Sequence, residues 1–360
     1  MKTEATSEIK EAYKNSNSEM YLKNLLENGE KEYPCEDEMQ LPEWHDEKIT
    51  LKGQSYLNKY RLIIFNGMLS GLIAVMAIPS ILKILIATKQ SSTPAMSYRR
   101  YVRTILHTIS FFRYPLKPGT KSWESLEMVR KAHFKSSHIA DKQNCGKITQ
   151  KDLALTQFGF MAFYCLEADS IGLADEEFKS STIHLWRLIG YLLGIKDEYN
   201  ICTSSWDTTK ERLDLIMRNV YKPALENTSE EFNEMTKTLI DGLWPLYHML
   251  NWETSLYFTK HSAKCANYEY YETDDFGGEE KFKEFYKLGW YNRFKISSGI
   301  FLAEKLYKIK LFRIFFNFRL WTYEIWSYYF PYFPIYKFGL KWAYVRIYNN
   351  NEESMNLHMD

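Results

Sequence analysis

The 360-residue sequence lacks the short motifs that identify many common enzyme folds. It contains no HExxH, GxSxG, P-loop or GxGxxG pattern, so zinc hydrolases, serine hydrolases and dinucleotide-binding folds have no support. Its five cysteines are scattered and odd in number, which predicts no disulfide framework and no zinc site and indicates a reducing compartment. It also lacks alternating apolar and polar stretches of strand length, and therefore predicts an all-α protein.

Acidic residues are scarce in two stretches of a chain whose net charge is only +1. No Asp or Glu lies between Arg61 and Arg100. From Lys281 to Arg346, thirteen Lys or Arg residues stand against three Glu residues, among many aromatic side chains. A basic segment rich in Trp, Tyr and Phe is more typical of a membrane surface than of a nucleic-acid interface. We therefore expect a membrane-facing C-terminal segment and no nucleic acid partner.

One uncharged stretch, Leu62 to Leu82, is long enough to cross a membrane. It also contains Asn66, and near its end Pro79 and Ser80, which would break a helix or leave polar groups in hydrocarbon. We favour a buried helix, broken at Pro79 and resumed from Lys83, and a transmembrane helix is the alternative. The polar N-terminus shows no signal peptide, so we expect an intracellular protein.

Apolar residues recur at helical spacing in several further segments. Thr149 and Asp152 form a capping-box pattern before an apolar run to Leu166, which predicts a central buried helix, and Ser122 is the expected N-cap of the preceding helix. The intervening loop resembles a calcium loop but lacks the bidentate Glu at its last position, and we expect no calcium. Other helices are predicted at residues 100–112, 177–195, 210–220, 230–250 and 282–288, with an irregular aromatic helix at 321–344.

Two of these helices carry side chains that suit a haem. Spacings of three and four residues place Arg100, Arg103 and Thr104 on a common face of one helix, and Arg130 beside His133 on the other. An imidazole can bind iron, guanidinium groups can neutralise propionates, and a hydroxyl can hydrogen-bond a ligand. His133 is therefore a candidate metal ligand.

A second candidate histidine lies on the helix predicted at residues 177–195. His184 and Arg187 share one face of this helix. A lone histidine on an apolar helix face is more often a core residue held by a hydrogen bond than a metal ligand. From the residues alone, His133 is the first candidate for the ligand and His184, with Arg187, the second.

Several segments of residues 41–203 together resemble the rubber-oxygenase or latex-clearing protein family. The resemblance extends to the endoplasmic-reticulum oxygenases of the mpaB type that share its catalytic domain, and is closest to uncharacterised arthropod members. The segments that carry it are Leu41-Pro42-Glu43-Trp44, Gly53-Gln54, Arg100-x-x-Arg103-Thr104, Ser125-Leu126-Glu127-Met128-Val129-Arg130-x-x-His133, Thr156-Gln157-Phe158-Gly159-Phe160 and His184-Leu185-Trp186-Arg187-x-x-Gly190-Tyr191-x-x-Gly194-Ile195.

The resemblance implies a globin-like helical core around a b-type haem, with extra N- and C-terminal helices. It also implies oxidative cleavage of isoprenoid double bonds by dioxygen, near the endoplasmic reticulum or another membrane. It makes His133 the axial iron ligand with Arg130 as its neighbour, and it places Arg100, Arg103 and Thr104 near the haem as catalytic residues. We expect a polar N-terminal segment at residues 1–40, a haem-binding domain at 41–300 and a basic aromatic segment at 301–360.

Two departures from the family's pattern change the expected substrate. Rubber-cleaving members have a lysine where this chain has Arg103, and an arginine stays protonated and cannot bind iron. Those members also use a glutamate, proposed as a base, on the preceding helix, where this chain has no acid. We therefore expect a haem-dependent oxygenase for a smaller apolar isoprenoid or lipid. The alternatives are a non-catalytic membrane-associated haem or lipid binder and an integral membrane scaffold.

Overall fold

The computed structural model describes residues 17–173, 175–268 and 283–348, which form an all-α fold, as the sequence predicts. No strand occurs within these ranges, and the predictions for residues 1–16 and 349–360 lie outside them. The helices are α1 (residues 17–27), α2 (Glu47–Lys59), α3 (Arg61–Val75), α4 (Pro79–Ala87), α5 (Pro94–Arg113), α6 (Lys121–Lys142), α7 (Gln150–Leu166), α8 (Glu176–Leu192), α9 (Trp206–Ile216), α10 (Lys222–Glu226), α11 (Glu230–Leu243), α12 (Trp252–Ser262), α13 (Lys283–Lys287), α14 (Trp290–Phe301), α15 (Lys310–Tyr329), α16 (Tyr332–Phe338) and α17 (Leu340–Ala343), with π-helical turns at Met217–Tyr221 and Leu302–Leu306.

Helix α7 is buried along most of its length, as its apolar sequence predicts. The predicted capping box is confirmed, because the Thr149 hydroxyl accepts the N–H of Asp152 while the Asp152 carboxylate accepts the N–H of Thr149. Helix α7 crosses α3 so closely that a Cβ on Gly71 would lie 1.7 Å from the carbonyl oxygen of Gly159. Only a residue without a side chain permits this crossing, which brings both helices to the site described below.

The uncharged stretch predicted as one broken helix forms two helices, α3 and α4, that are bent by 89° relative to each other. The break lies at residues 76–78, and Pro79 is the first residue of α4 instead of a kink within a helix. The second helix therefore begins before Lys83, because proline is well tolerated at a helix N-terminus. Among the described residues no single helix meets the length and hydropathy criteria for a membrane span, although α3 and α4 together do.

Two further helix boundaries differ from the predicted ones. Helix α6 is capped by Thr120, whose hydroxyl accepts a first-turn N–H at 3.3 Å, whereas Ser122, the predicted cap, donates to the carbonyl of Pro115. Helix α15 is regular up to Tyr329, and the expected irregularity begins only at Pro331, since no proline interrupts the chain before it.

Residues 17–40, predicted as part of a polar N-terminal segment, pack against the helical body. Leu25 is fully buried, and Tyr21 donates a hydrogen bond to the carbonyl oxygen of Tyr199 at 2.9 Å. The guanidinium of Arg212 lies 3.8 Å from the centre of the Tyr21 ring. This packing leads the chain past α6 and α8 to α2, which is followed directly by α3.

Candidate functional site

Helices α5, α6, α7 and α8 line a cavity of about 260 Å³. Four residues predicted from the sequence meet here: Arg100, Arg103 and Thr104 from α5, and His133 from α6. Among the described residues, none of the side chains that line this cavity is a carboxylate. The other lining residues are Gln90, His107, Thr108, Phe111, Val129, Ala132, Ser136, Leu153, Thr156, Gln157, Phe160, Trp186, Ile189, Gly190, Leu193 and Ile195. We call this space the polar cavity.

One face of α5 forms a large part of the polar cavity. Its residues recur at intervals of three and four positions, which is the spacing that keeps side chains on one side of a helix. The face contains Arg100, Arg103, Thr104, His107, Thr108 and Phe111. The predicted grouping of the first three residues is therefore observed, and the same face continues for two more turns.

The cationic groups of the polar cavity have no acidic partner. Arg100 donates to the hydroxyls of Thr88 and Ser91 at 3.4 and 3.2 Å, both neutral groups. Arg103 lies exposed at the rim and makes no hydrogen bond or ion pair with the described residues. Two positive charges without a counter-ion make the polar cavity a suitable place for an anionic group.

His133 presents an unpartnered imidazole to the polar cavity. Its Nδ1 is shielded from solvent and has no hydrogen-bond partner among the described residues. Burial, assisted by the positive charge of Arg100, lowers the pKa of His133 to about 4, so the ring is neutral at physiological pH. A neutral imidazole with a free nitrogen is the form that binds a metal ion.

A second histidine of the polar cavity, His107, was not singled out from the sequence. Its Nδ1 lies 2.6 Å from the Ser125 hydroxyl, and burial together with the charge of Arg103 lowers its pKa to about 4. His107 lies one helical turn beyond Arg103 and Thr104, so the spacing rule already applied to those residues extends to it. The signal was present, but His107 lies outside the segments that carry the family resemblance.

Arg130, predicted beside the haem, does not line the polar cavity. Its guanidinium is buried and donates to the carbonyl oxygens of Cys35 and Asp37, the second at 2.6 Å. Arg130 thereby fixes the segment that follows α1 onto α6. Arg130 and His133 are three residues apart on α6, but the long Arg130 side chain reaches the carbonyl oxygens of the N-terminal segment, whereas His133 lines the polar cavity.

His184 and Arg187, the second predicted pair, also lie outside the polar cavity. The Nε2 of His184 accepts the backbone N–H of Asp46 at 3.2 Å. Arg187 stacks on the Trp44 ring, 4.0 Å from its centre, and pairs with Asp197 at 3.1 Å. These contacts attach the segment before α2 to α8, so both residues of the resemblance motif have partners within the protein.

A second cavity, of about 240 Å³, adjoins the polar cavity and is almost entirely apolar. The two share Thr104 and Thr108 from α5, and Thr156 and Phe160 from α7. We call the second space the apolar cavity. Its aliphatic and Phe lining is Leu62, Phe65, Met68, Leu69, Leu72, Val75, Val102, Ile105, Leu106, Ile109, Phe160, Leu243, Leu246, Leu250, Leu320 and Val345.

The three threonines of the shared wall are satisfied within their own helices. Thr104, Thr108 and Thr156 each donate to the carbonyl four residues earlier, at 3.3, 2.8 and 2.7 Å respectively. Their hydroxyl protons are therefore engaged, while the oxygen lone pairs remain as acceptors. The shared wall can accept a hydrogen bond from a small polar group without requiring one.

The only charged residues that line the apolar cavity, among the described residues, are Arg61 and Glu324. The Glu324 carboxylate accepts from Arg61 at 3.2 Å and from Arg113 at 2.6 Å, and the three side chains link α15 to α3 and α5. The sequence has no acid between Arg61 and Arg100, and the structure supplies one from a helix far along the chain. Sequence reasoning could not place it, because nothing local relates Glu324 to Arg61.

This arrangement of helices is similar to a known fold. A solved structure of latex clearing protein in the closed state matches 79% of this chain and 74% of its own, with a TM-score of 0.54 and 17% sequence identity. No protein-family model matches the chain, and no curated protein matches it.

The shared fold confirms the resemblance drawn from the sequence at the level of architecture. At this identity the likeness concerns the fold alone. The relationship to the mpaB-type oxygenases and to arthropod members remains a prediction.

Proposed function

We propose that this protein is a haem b-dependent oxygenase that uses dioxygen on an apolar, isoprenoid or lipid-like substrate. The observation that carries the proposal is the polar cavity, where a neutral, unpartnered His133 faces two arginines without any carboxylate. The more general part of this proposal, that the protein has the fold of an oxygenase, is supported by the match to latex clearing protein.

The residues of the polar cavity fit a b-type haem. His133 would bind the iron, because it lines the cavity, its imidazole is neutral and it makes no hydrogen bond with the described residues. Arg100 and Arg103 would hold the propionates, since neither has an acidic partner among the described residues. The aromatic rings of Phe111, Phe160 and Trp186 line the same space and would pack on an extended planar group.

Haem, when bound, supplies a redox-active iron at which dioxygen can be activated. The protein's own contribution is to orient the bound groups and to exclude water. Thr104 and Thr108 keep their acceptor lone pairs at the boundary between the cavities, where a small polar group can be hydrogen-bonded. Arg103 stays protonated, so it would neutralise charge at the rim and would not occupy an iron position.

The apolar cavity would hold the substrate. Its aliphatic and aromatic wall excludes water, and it meets the polar cavity along one short boundary of three threonines and Phe160. A double bond held at that boundary would adjoin the polar cavity, while the rest of the molecule would stay among the apolar side chains.

One observation favours a second function, that of a non-catalytic haem or lipid binder. Within the part of the chain that the structure describes, no carboxylate lines the polar cavity, so none of those Asp or Glu side chains is available there as a base. His107 is the remaining candidate for holding a proton, since its imidazole is neutral and lies in the same cavity. Oxygen consumption by the haem-loaded protein with short isoprenoids, accompanied by product formation, distinguishes an oxygenase from a binder.

The deciding experiment is the absorption spectrum of protein expressed with ample haem. Wild type should show a Soret band, and His133→Ala should lose it while keeping its helical circular dichroism. His184→Ala is the matched control, because His184 is also a partly buried helical histidine but lies outside the cavity. A normal Soret band in His133→Ala combined with loss of the band in His184→Ala would assign the ligand to the other histidine.

A further inference from the structure

The outer face of α15 is apolar although it lies on the surface. Leu311, Phe315, Phe318 and Trp326 follow one another at helical spacing and are 75%, 59%, 58% and 56% exposed. Thr322 completes the stripe, which runs along most of the helix. A surface helix of a globular protein normally places polar side chains on this face, so the stripe indicates a partner or a bilayer.

The neighbouring helices repeat the pattern. On α14, Trp290 and Phe294 are 75% and 63% exposed and lie one turn apart. On α16, Tyr332 and Tyr336 are 69% and 88% exposed, again one turn apart. Three helices in succession therefore present aromatic side chains to the outside. We call their exposed side chains the aromatic face.

Helix α15 is held in this orientation by specific contacts on its inner side. Asn317 donates to the carbonyl of Lys59 at 2.7 Å and accepts from the Tyr307 hydroxyl at 2.8 Å. Glu324 forms the ion pairs with Arg61 and Arg113 described above. Rotation of α15 to bury the stripe would break these contacts. The aromatic side chains are therefore exposed because the opposite side of the helix is bound to α2, α3 and α5.

The charge of this region identifies the partner. Residues 290–348 contain two acids, and one of them, Glu324, is taken up by the ion pairs on the inner side. Protein–protein interfaces are depleted in lysine, whereas membrane-surface helices combine aromatic side chains with Lys and Arg. The basic residues of the region are Arg293, Lys295, Lys305, Lys308, Lys310, Arg313, Arg319, Lys337, Lys341 and Arg346.

We propose that the aromatic face binds the surface of an anionic lipid bilayer, with α14, α15 and α16 lying in the headgroup region. Aromatic rings partition into that region, and exposed basic side chains of the same segment, Lys305, Lys308, Lys310 and Lys341, are attracted to acidic lipid headgroups. The opposite side of α15 lines the apolar cavity through Leu320 and Tyr323, so one helix separates the bilayer from that cavity. The proposal concerns the surface alone and is independent of haem binding.

The test is flotation of the full-length protein with phosphatidylcholine vesicles, prepared with and without phosphatidylserine. Wild type should float with the anionic vesicles, less with the neutral ones, and less at high salt. The variant Phe315→Gln/Phe318→Gln/Trp326→Gln should lose most of the binding. Glutamine preserves helix propensity, and the inner side of α15 is untouched.

Matched variants control for general loss of apolar or basic surface. Met20→Gln/Met249→Gln changes two exposed apolar side chains, 69% and 45% exposed, outside the aromatic face and should bind like wild type. Lys308→Glu/Lys310→Glu should weaken binding to anionic vesicles by about tenfold or more, since each lysine near the surface contributes. Charge reversal at exposed lysines of α6, Lys135→Glu/Lys142→Glu, should not.

Four outcomes would overturn the proposal. One is absence of flotation with anionic vesicles, and another is equal flotation of the triple variant and wild type. The third is a wild-type dimer in sedimentation equilibrium that the triple variant converts to a monomer without any change in lipid binding, which would make the face an interface between two copies. Retention in the membrane pellet after carbonate extraction, with residues 1–50 protected from protease, would show a span in place of surface binding.

Discussion

Arginine side chains line both cavities, but within the described part of the chain they have acidic partners at only one of them. In the polar cavity, Arg100 and Arg103 have no acidic partner, whereas at the apolar cavity Arg61 shares the Glu324 carboxylate with Arg113. Paired guanidinium groups join helices together. The guanidinium groups of the polar cavity have no acidic partner among the described residues, and the imidazole nitrogen of His133 beside them has no hydrogen-bond partner. A bound group could therefore supply these interactions.

Unmade interactions cost stability, which is why they are informative. A shielded polar atom without a hydrogen bond costs about 1–3 kcal/mol, and the Nδ1 of His133 is such an atom. Six buried side-chain atoms lack a partner among the described residues, and His133 carries the one that belongs to a residue lining the polar cavity, where a ligand is expected. The difference between the cavities therefore separates a place for binding and chemistry from a place for packing and for an apolar guest.

The largest expected effect concerns the paired arginines. Glu324→Gln would leave the positive charge of Arg61 without its partner, in a site where burial already lowers the pKa of that guanidinium. Breaking such a pair by removing one member costs about 3 kcal/mol in free energy of unfolding. Urea denaturation at neutral pH measures it, and Glu304→Gln, an exposed Glu of the same region, is the control and should change stability by less than about 0.5 kcal/mol.

Equal stability of Glu324→Gln and Glu304→Gln would contradict this interpretation. It would mean that the ion pairs at the apolar cavity are solvated contacts of little energetic value. The contrast between the cavities would then rest on the polar cavity alone.

A smaller effect is expected from pH, through the histidines of the polar cavity. The pKa values of His107 and His133 are lowered from 6.5 to about 4, so between those pH values the unfolded chain binds protons that the folded protein does not. Stability is therefore fully present above pH 6.5, falls as the pH drops from 6.5 to about 4, and is flat with respect to these groups below that. The full shifts correspond to about 3 kcal/mol for each histidine, and the partial exposure of both rings reduces the expected loss to about 2 kcal/mol each.

Thermal or urea unfolding of haem-free protein across that pH range gives the measurement. Carboxylates also titrate in this window, so the comparison is between wild type and the variants His107→Gln and His133→Gln. Each variant should show a shallower fall in stability than wild type as the pH is lowered. Parallel curves would show that the imidazoles are as well solvated in the folded protein as in the unfolded chain.

Local patterns predicted the parts of the site that lie within one helix. The grouping of Arg100, Arg103 and Thr104 followed from spacing, and the capping box at Thr149 from two side chains three residues apart. The same spacing extends to His107, but a lone histidine on an apolar face looks the same in sequence whether a neighbouring helix or a cavity lies opposite. For that reason His107 was missed.

Contacts between distant parts of the chain could not be predicted in this way. Nothing local connects Glu324 with Arg61, or Arg130 with the carbonyl of Asp37, because both depend on how helices cross. The all-α class followed from the absence of strand patterns. The position of the apolar cavity depends on the close crossing of α3 and α7 at Gly71, which only the folded structure reveals.

The smallest expected effect concerns the wall that the two cavities share. Thr104→Val keeps the shape of the side chain and removes a hydroxyl whose own hydrogen bond, to the carbonyl of Arg100, is long at 3.3 Å. Stability should change by less than about 1 kcal/mol. Because Thr104 lines both cavities, the spectrum of the oxidised haem protein or its oxygen affinity should change. Thr238→Val is the control, since that hydroxyl makes the same type of bond, to the carbonyl of Glu234, away from either cavity. If Thr104→Val and Thr238→Val give the same spectra and oxygen affinity as wild type, Thr104 serves only to pack the wall, and the polar cavity begins at Arg100 and His133.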